Sequence, residues 1–295
     1  MTFGRNCVLR ALKFSCKIKA NIMKGSDMMK RILTVMLILF ATFQFASAEP
    51  VNVTVDGKDF NGGKLIGSVT YVPIRAFVEK MSDAEVSWDG ESRTVTAHGE
   101  KSVLCARIDE AYIEHKGRIL YSGSPNLIID GSAYIPVRTL AKSLGADVSW
   151  DSYSRTAIVI SDAVEFKTAE EYYDSNDLYW LAKIISAESE GESLIGKIAV
   201  GNVVLNRVEN PEFPDNVYDV IYDKKGGVQF TPVANGSINN YPTEESFTAA
   251  KICLENYKLT NKNILFFLNP SISTSTWVPN NRDFVMTIGR HDFYA

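Results

Sequence analysis

The residues best suited to chemistry in this chain are three glutamates grouped around one glycine, in the segment A-E-S-E-G-E at 187–192. This segment closes an apolar stretch with helical spacing, so its first carboxylate, Glu188, directly follows a buried helix face. A carboxyl held at the wall of a cleft loses water, which raises its pKa into the range useful for protonating a leaving group. The alternative is a solvated acidic helix end, which the three glutamates alone do not exclude.

Helices on both sides of this segment are predicted to position it. Apolar residues follow helical spacing from Asp177 to Ile185, and Gly191 is predicted to break that helix. A second apolar helix ends near Arg207, because the prolines that follow prevent its continuation. The predicted helix caps are Ser175 or Asn176 for the first helix, Glu192 or Ser193 for the second, and Thr243 for a third.

The first 48 residues have the pattern of a secretory signal peptide. Lys30-Arg31 precede a nearly unbroken apolar run at 32–43, and the small residues Ala46-Ser47-Ala48 follow it. This run is shorter than the ~20 apolar residues that span a bilayer. Secretion is therefore predicted, with an uncleaved anchor as the alternative. Residues 1–27 are basic and unpatterned, which indicates an over-extended start.

Charge and composition exclude several classes of function. Residues 1–48 hold eight of the 31 Lys and Arg and one of the 35 acids, so the remainder has a formal net charge of −11. Nucleic acid and anionic membranes are therefore unlikely partners on electrostatic grounds. With three His in the chain and only Cys105 and Cys253 after residue 48, we predict buried thiols, no metal and no cofactor.

Residues 51–162 contain an internal repeat. Y-V-P-I-R at 71–75 returns as Y-I-P-V-R at 134–138, and V-S-W-D at 86–89 returns as V-S-W-D at 148–151. Such self-similarity indicates a duplicated unit, each copy reading as a strand, a helix and a hairpin. We predict a small α+β domain. Its repeated Trp and Arg favour core and ion-pair roles over a binding face.

These repeated blocks resemble the copper amine oxidase N-terminal-like domain, a stalk module of secreted bacterial proteins. The resemblance implies presentation or attachment to the cell wall or surface. His98 and His115 have no matching His partners, so copper is not expected. A polar linker is predicted at 163–176, before a catalytic domain at 177–295.

The C-terminal half resembles the cell wall hydrolase family of spore-cortex-lytic enzymes over about residues 178–295. The matching blocks, in the family's order, are A-E-S-E-G-E at 187–192, A-V-G-N-V-V-L-N-R-V at 199–208, F-P at 213–214, V-I-Y at 220–222, Q-F-T-P-V at 229–233, N-P at 269–270 and the final I-G-R-H-D-F-Y-A. Thr231 stands where the family more often has Ser, a change that keeps the hydroxyl.

The resemblance implies a mostly α, lysozyme-like catalytic domain after the duplicated α+β domain. It also implies cleavage of the β-1,4 bond between N-acetylmuramic acid and N-acetylglucosamine in peptidoglycan, with Glu188 as the catalytic acid. Two-carboxylate hydrolases need a second acid, and the matching blocks offer no obvious one. A single acid favours lytic transglycosylation with a 1,6-anhydro product. A hydrolytic muramidase and a non-catalytic wall-binding protein are the alternatives.

Five polar or aromatic positions are candidates for holding the sugar. They are Asn206, Gln229, Thr231, Trp277 and His291. For Asn206 and His291 a buried bracing role is at least as well supported. For Trp277 a core position is equally consistent with the sequence, and Phe230 is expected to serve packing.

Overall fold

The computed structural model describes residues 48–100, 103–161, 165–274 and 276–295. The predicted signal peptide at 1–48 lies outside the described residues except for Ala48, and the predicted linker is described from residue 165. Within these ranges no helix has both the length and the apolar character needed to cross a membrane. Residues 50–295 form one compact unit.

The regular elements are numbered here in chain order. The strands are β1 Glu49–Pro50, β2 Asn52–Val55, β3 Lys58–Phe60, β4 Lys64–Ile66, β5 Val69–Pro73, β6 Glu85–Asp89, β7 Thr94–His98, β8 Val103–Arg107, β9 Tyr112–His115, β10 Arg118–Tyr121, β11 Leu127–Ile129, β12 Ser132–Pro136, β13 Asp147–Asp151, β14 Thr156–Ile160, β15 Phe266–Leu268, β16 Phe284–Ile288 and β17 His291–Tyr294. The helices are α1 Ile74–Met81, α2 Val137–Ser143, α3 Ala169–Tyr172, α4 Ser175–Ser189, α5 Leu194–Val208, α6 Val217–Tyr222, α7 Thr231–Asn235, α8 Glu244–Leu254 and α9 Trp277–Asn281, with a 3-10 turn at Ser237–Asn239.

The two repeats meet along one pair of equivalent strands. Neighbouring strands follow the order β4–β5–β12–β11, and β5 and β12 run antiparallel. In this pair Tyr71 lies opposite Pro136 and Tyr134 lies opposite Pro73. These residues occupy the same positions in the two copies, so a local two-fold axis relates the repeats.

Two further sheets and two helices complete this part of the fold. One sheet has the order β10–β9–β8–β7–β6, and the other has the order β13–β14–β2–β3, in which β2 and β14 are parallel. Both repeats contribute to a single apolar core, in which Phe77, Ile135 and Leu140 are fully buried. The predicted duplicated α+β domain is confirmed.

The two tryptophans of the repeat correct the sequence interpretation. Trp88 and Trp150 are 46% and 42% exposed, so they are not core aromatics. The expectation of buried thiols is confirmed for Cys253, whereas Cys105 on β8 is only half-buried.

The C-terminal part is built on α4, α5 and α8, which pack around one apolar core. At Gly201 on α5, a methyl group would lie 2.6 Å from Cys253 Sγ and 2.9 Å from Ile185 Cδ1, so only glycine permits this approach of three helices. A three-stranded sheet, β15–β17–β16, adjoins the helices. The predicted mostly helical domain is confirmed.

The observed helix caps agree with the sequence prediction in two of the three helices. The side chains of Ser193 and Thr243 accept hydrogen bonds from the first turns of α5 and α8, as predicted. The cap of α4 is Asp174, which accepts from the backbone amides of 176 and 177, so the prediction of Ser175 or Asn176 is wrong. An ionised carboxylate interacts more strongly with the helix dipole than either neighbour does.

The predicted linker is folded where it is described. Helix α3 starts with a capping box between Thr168 and Glu171. Phe166 and Tyr172 lie on the guanidinium of Arg118, with ring centroids 4.2 and 3.5 Å away. Residues 165–174 therefore pack against the repeat domain.

Four polar residues, named here the Glu255 cluster, join the repeat domain to the helices. They are Arg118, Lys142, Tyr173 and Glu255. Arg118 donates two hydrogen bonds to the Glu255 carboxylate, at 2.6 and 2.8 Å, while Tyr173 donates at 2.9 Å and Lys142 at 3.2 Å. The Arg118 and Glu255 side chains are 5% and 3% exposed. This buried pair fixes the two parts against each other.

Candidate active site

Glu188 lies in the last turn of α4, between two groups supplied by other helices. Arg207 comes from the last turn of α5, and Thr231 begins α7. Burial raises the pKa of Glu188 from its ordinary 4.5 to about 7, while the charge of Arg207 and a hydrogen bond from the Thr231 backbone amide oppose the rise. At neutral pH this carboxyl can both give and take a proton.

Arg207 is a buried cation, only 4% exposed. Three rings surround its guanidinium at 5.0–5.4 Å, those of Phe213, Phe230 and Phe266. Its Nε donates to the carbonyl of Leu265 at 2.8 Å. Burial lowers the pKa of Arg207 to about 10, against the effects of Asp223 and Glu188, so the group stays positive at neutral pH.

An open groove of about 890 Å³ runs beside these charges. Arg207 lines this groove and acts electrostatically on Glu188, so the groove adjoins a group that acts on the acid. The wall is formed largely by aromatic and charged residues. The lining also includes Glu212, Asp223, Gln229, Phe266, Phe267 and Trp277. Aromatic faces with a few charged groups are suited to a polar ligand with apolar faces.

Three of the predicted sugar-binding residues lie at or near this groove. Trp277 is 52% exposed and packs on Phe266 at 6.0 Å, so it is not a core residue. Gln229 lines the groove, but its amide donates to the carbonyls of 225 and 227 and accepts from Arg207, which shapes the loop. Thr231 is exposed, with its backbone amide directed at Glu188.

Asn206 and His291 lie in the interior. Asn206 is 5% exposed and donates to the carbonyl of Ile264 at 3.0 Å. His291 is 8% exposed, stands edge-on to Phe267, and has its pKa lowered by burial. The bracing role considered for both residues agrees with these positions.

The other two glutamates of the A-E-S-E-G-E segment have different surroundings. Glu190 is exposed. The Glu192 carboxylate accepts from the Arg290 backbone amide at 3.3 Å, which ties the loop to the C-terminal hairpin. Buried Lys197 donates to the backbone carbonyls of both residues and pairs with Glu245.

Three parts of the site are not predicted from the sequence, namely Arg207, Asp223 and the aromatic wall. One signal was present, an arginine at the end of an otherwise apolar helix, where burial demands a partner. Asp223 gave no signal, because it follows α6 in a loop and reaches the site only through the fold.

Two family models match the chain. Residues 191–294 match the family described as Cell Wall Hydrolase, and residues 54–159 match the Copper amine oxidase N-terminal domain. The first match begins at Gly191, so it does not include Glu188.

Curated relatives share the C-terminal part. A spore cortex-lytic enzyme of Bacillus cereus is 36% identical over 121 residues, which are 41% of this chain and 45% of that protein. A spore cortex-lytic enzyme of Halalkalibacterium halodurans is also 36% identical over 121 residues, 41% of this chain and 35% of that protein. The chain thus spans less than half of the length of these relatives.

One solved structure that is similar is the catalytic domain of the germination-specific lytic transglycosylase SleB from Bacillus anthracis. It is 35% identical, with a TM-score of 0.38, and the match covers 42% of this chain and 97% of that one.

Proposed function

Because the chain carries a cell wall hydrolase domain behind a copper amine oxidase N-terminal domain, we propose that it is a peptidoglycan-lytic enzyme acting outside the cell, at the wall or spore cortex. The observation that carries the proposal is the half-buried Glu188 carboxyl, which lies beside the Thr231 backbone amide and the charge of Arg207, a residue that lines the aromatic groove. Burial raises the pKa of this carboxyl to about 7. An acid of this kind is what cleavage of a glycosidic bond requires.

The proposed reaction uses Glu188 twice on the bond between N-acetylmuramic acid and N-acetylglucosamine. First, its carboxyl gives a proton to the glycosidic oxygen as the bond to C1 of muramic acid breaks. The resulting carboxylate then takes the proton of the muramic acid C6 hydroxyl, whose oxygen bonds to C1. The products are a free 4-hydroxyl and a 1,6-anhydro ring, with no water consumed.

Arg207 and Thr231 support the second half of this cycle. After the proton is given, the carboxylate is stabilised by the Arg207 charge and the Thr231 amide, which keep its pKa from rising further. Both groups favour the carboxylate form of Glu188, which is the form that the second step requires.

The test compares two glutamates of the same segment on purified peptidoglycan. Glu188→Gln should lower the rate of glycan release at least ~10²-fold, since a positioned general acid contributes that much. Glu190→Gln, two residues away and exposed, is the matched control and should keep full activity. Full activity of Glu188→Gln would overturn the assignment. Cortex and vegetative wall assayed side by side identify the target.

Hydrolysis is the second candidate, because Glu212 and Asp223 also line the groove. Mass spectrometry of the released fragments separates the two reactions, since a hydrolase leaves reducing ends and a transglycosylase leaves anhydro ends. We expect anhydro ends from the wild-type protein and from Asp223→Asn. Reducing ends that disappear in Asp223→Asn would instead make Asp223 the second acid of a muramidase.

A non-catalytic wall-binding protein is the remaining alternative. It predicts co-sedimentation with peptidoglycan and no released fragments from the wild-type protein.

A further inference from the structure

The duplicated domain carries two surface grooves of the same size at equivalent places. Each encloses about 500 Å³. One is lined by Pro73, Ile74, Arg75, Val86, Ser87, Trp88, Val95, Ile128 and Ser132. The other is lined by Pro136, Val137, Arg138, Val148, Ser149, Trp150, Ala157, Leu65 and Val69. Every residue of the first set has its repeat equivalent in the second, and each groove combines one copy's helix start and hairpin with the other copy's β-hairpin.

Each groove holds its Trp and Arg in the same way. Arg75 Nη1 donates to the Val86 carbonyl at 2.6 Å, and Arg138 Nη1 donates to the Val148 carbonyl at 2.8 Å. These bonds fix the guanidinium beside the strand that carries the tryptophan. Both groups stay accessible, because the two arginines are exposed and the two indoles are nearly half exposed. In the first groove, Arg75 Nη1 also lies 3.9 Å from the Glu79 carboxylate.

The hairpins that carry the tryptophans are braced identically. Asp89 accepts from the Glu91 amide at 2.9 Å and from Ser92 Oγ at 2.6 Å, and Asp151 accepts from the Tyr153 amide and from Ser154 Oγ at the same distances. These bonds lower the pKa of both aspartates, so the braces are ionised at neutral pH. The indoles are therefore presented on rigid turns.

The two grooves differ at four of their nine equivalent positions, where Ile74, Val95, Ile128 and Ser132 are replaced by Val137, Ala157, Leu65 and Val69. The identical positions are Pro73, Arg75, Val86, Ser87 and Trp88, with equivalents Pro136, Arg138, Val148, Ser149 and Trp150. Nearly half of each indole stays exposed although the rest is buried, so packing alone does not account for keeping it twice. An accessible indole face, a fixed guanidinium and a hydroxyl together match an uncharged sugar ring.

We propose that these two grooves are sugar-binding sites for the glycan of peptidoglycan, a role that rests on the proposed function of the catalytic part. The indole stacks on the apolar face of the ring, and the arginine donates to its hydroxyl or N-acetyl oxygens. The net charge of −11 after residue 48 disfavours polyanionic wall polymers. Tyr257, which follows α8, lines the second groove, so this site adjoins the helical domain.

The test measures co-sedimentation with insoluble peptidoglycan stripped of protein and anionic polymers, using the full chain in a Glu188→Gln background. We expect Trp88→Ala and Trp150→Ala each to weaken binding about threefold to tenfold, from the loss of one aromatic contact. The double variant should weaken it further. Tyr153→Ser, which removes an exposed aromatic from the same hairpin without lining a groove, is the matched control and should bind normally.

A second measurement distinguishes a loss of glycan binding in the grooves from a loss of catalysis at Glu188. With Glu188 intact, the double Trp variant should still cleave short soluble glycan fragments at the wild-type rate, which also shows that it is folded. Unchanged wall binding by the double variant would overturn the proposal, as would an equal loss in Tyr153→Ser. If the wild-type protein releases no fragments, the proposed function fails, but the sedimentation result still decides whether the grooves bind glycan.

Discussion

At the scale of single residues, the site depends on one proton held by Glu188. Its pKa of about 7 results from burial, and Arg207 and the Thr231 amide keep it from rising further. An acid with this pKa is half protonated near neutral pH, so giving a proton and taking one both cost little free energy there. Three predictions follow from this balance, on stability, on activity and on Arg207.

The first concerns pH. Folded Glu188 keeps its proton up to about pH 7, while the unfolded chain loses it near its ordinary 4.5. Between these values the native state binds more protons, so this group's contribution to stability falls as pH rises and levels off above pH 7. Glu188→Gln lacks this penalty. Its melting temperature should therefore exceed the wild-type value at pH 8 and match it at pH 4. An equal difference at both pH values would contradict the raised pKa.

Activity should follow the same ionisation. Because the proton donor is needed first, the rate of fragment release should fall about tenfold per pH unit above roughly pH 7. A rate that is flat to pH 9 would mean that Glu188 does not supply the proton.

The third residue-scale prediction concerns Arg207 as a positioning residue. Arg207→Met removes the charge that favours the carboxylate, so the alkaline limit of the pH profile should move upward while the maximal rate falls. Arg207→Lys keeps the charge and should leave that limit nearly unchanged, although it loses the hydrogen bond to the Leu265 carbonyl. Thermal unfolding of both variants checks that they fold. If the alkaline limit of the pH profile does not move in Arg207→Met, then Arg207 does not act on the ionisation of Glu188.

At the scale of elements, turns and loops place the chemistry. The loop at 190–193 is fixed by the Glu192 carboxylate, which bonds the Arg290 amide in the turn between β16 and β17. In that turn Gly289 has φ +58°, and a side chain there would meet the Glu192 carboxylate. The C-terminal hairpin thereby holds the loop that follows Glu188.

Gly289→Ala should lower stability by about 1–2 kcal/mol, since its backbone lies in the left-handed region and the new methyl group displaces Glu192. Gly191→Ala is the matched control, because no atom lies within 4 Å of the added methyl group. Denaturant unfolding measures both. Equal stability of the two variants would show that the turn does not constrain the loop.

Most helices and strands are predictable from helical spacing, from prolines that end helices and from the internal repeat, because these signals depend on local sequence. The Asp174 cap was missed because Asp174, Ser175 and Asn176 all favour caps, and neighbouring structure decides among them. The usual burial of Trp favours a core position for Trp88, which also shares a strand face with buried Val86. The core ends between the two residues, which only the assembled sheets reveal. Asp223 is likewise not predictable, because only the folded chain brings it to the groove.

At the scale of the whole molecule, the Glu255 cluster joins the repeat domain to the helices. Ile119 of β10 belongs to the apolar core of the helical part, next to Arg118 of this cluster. Lys251 Nζ on α8 also donates to the Gly117 carbonyl at 2.8 Å. The stalk-like module is thus packed against the catalytic part through both apolar and polar contacts.

Glu255→Gln should destabilise the chain by about 3–5 kcal/mol, because Arg118 keeps a buried charge without its counter-ion. Glu209→Gln breaks an exposed pair with Lys258 and is the matched control, with an expected loss below about 1 kcal/mol. Chemical denaturation measures both. Similar losses of stability in the two variants would mean that the Glu255 cluster contributes little to holding the repeat domain against the helices.

The antiparallel pairing of β5 and β12 has a consequence for direction. A glycan strand has a reducing and a non-reducing end, and grooves related by a two-fold axis present their Trp and Arg in opposite senses. One straight strand therefore cannot fill both grooves in the same orientation. The module can instead hold a strand of either polarity, or two neighbouring strands that run in opposite directions.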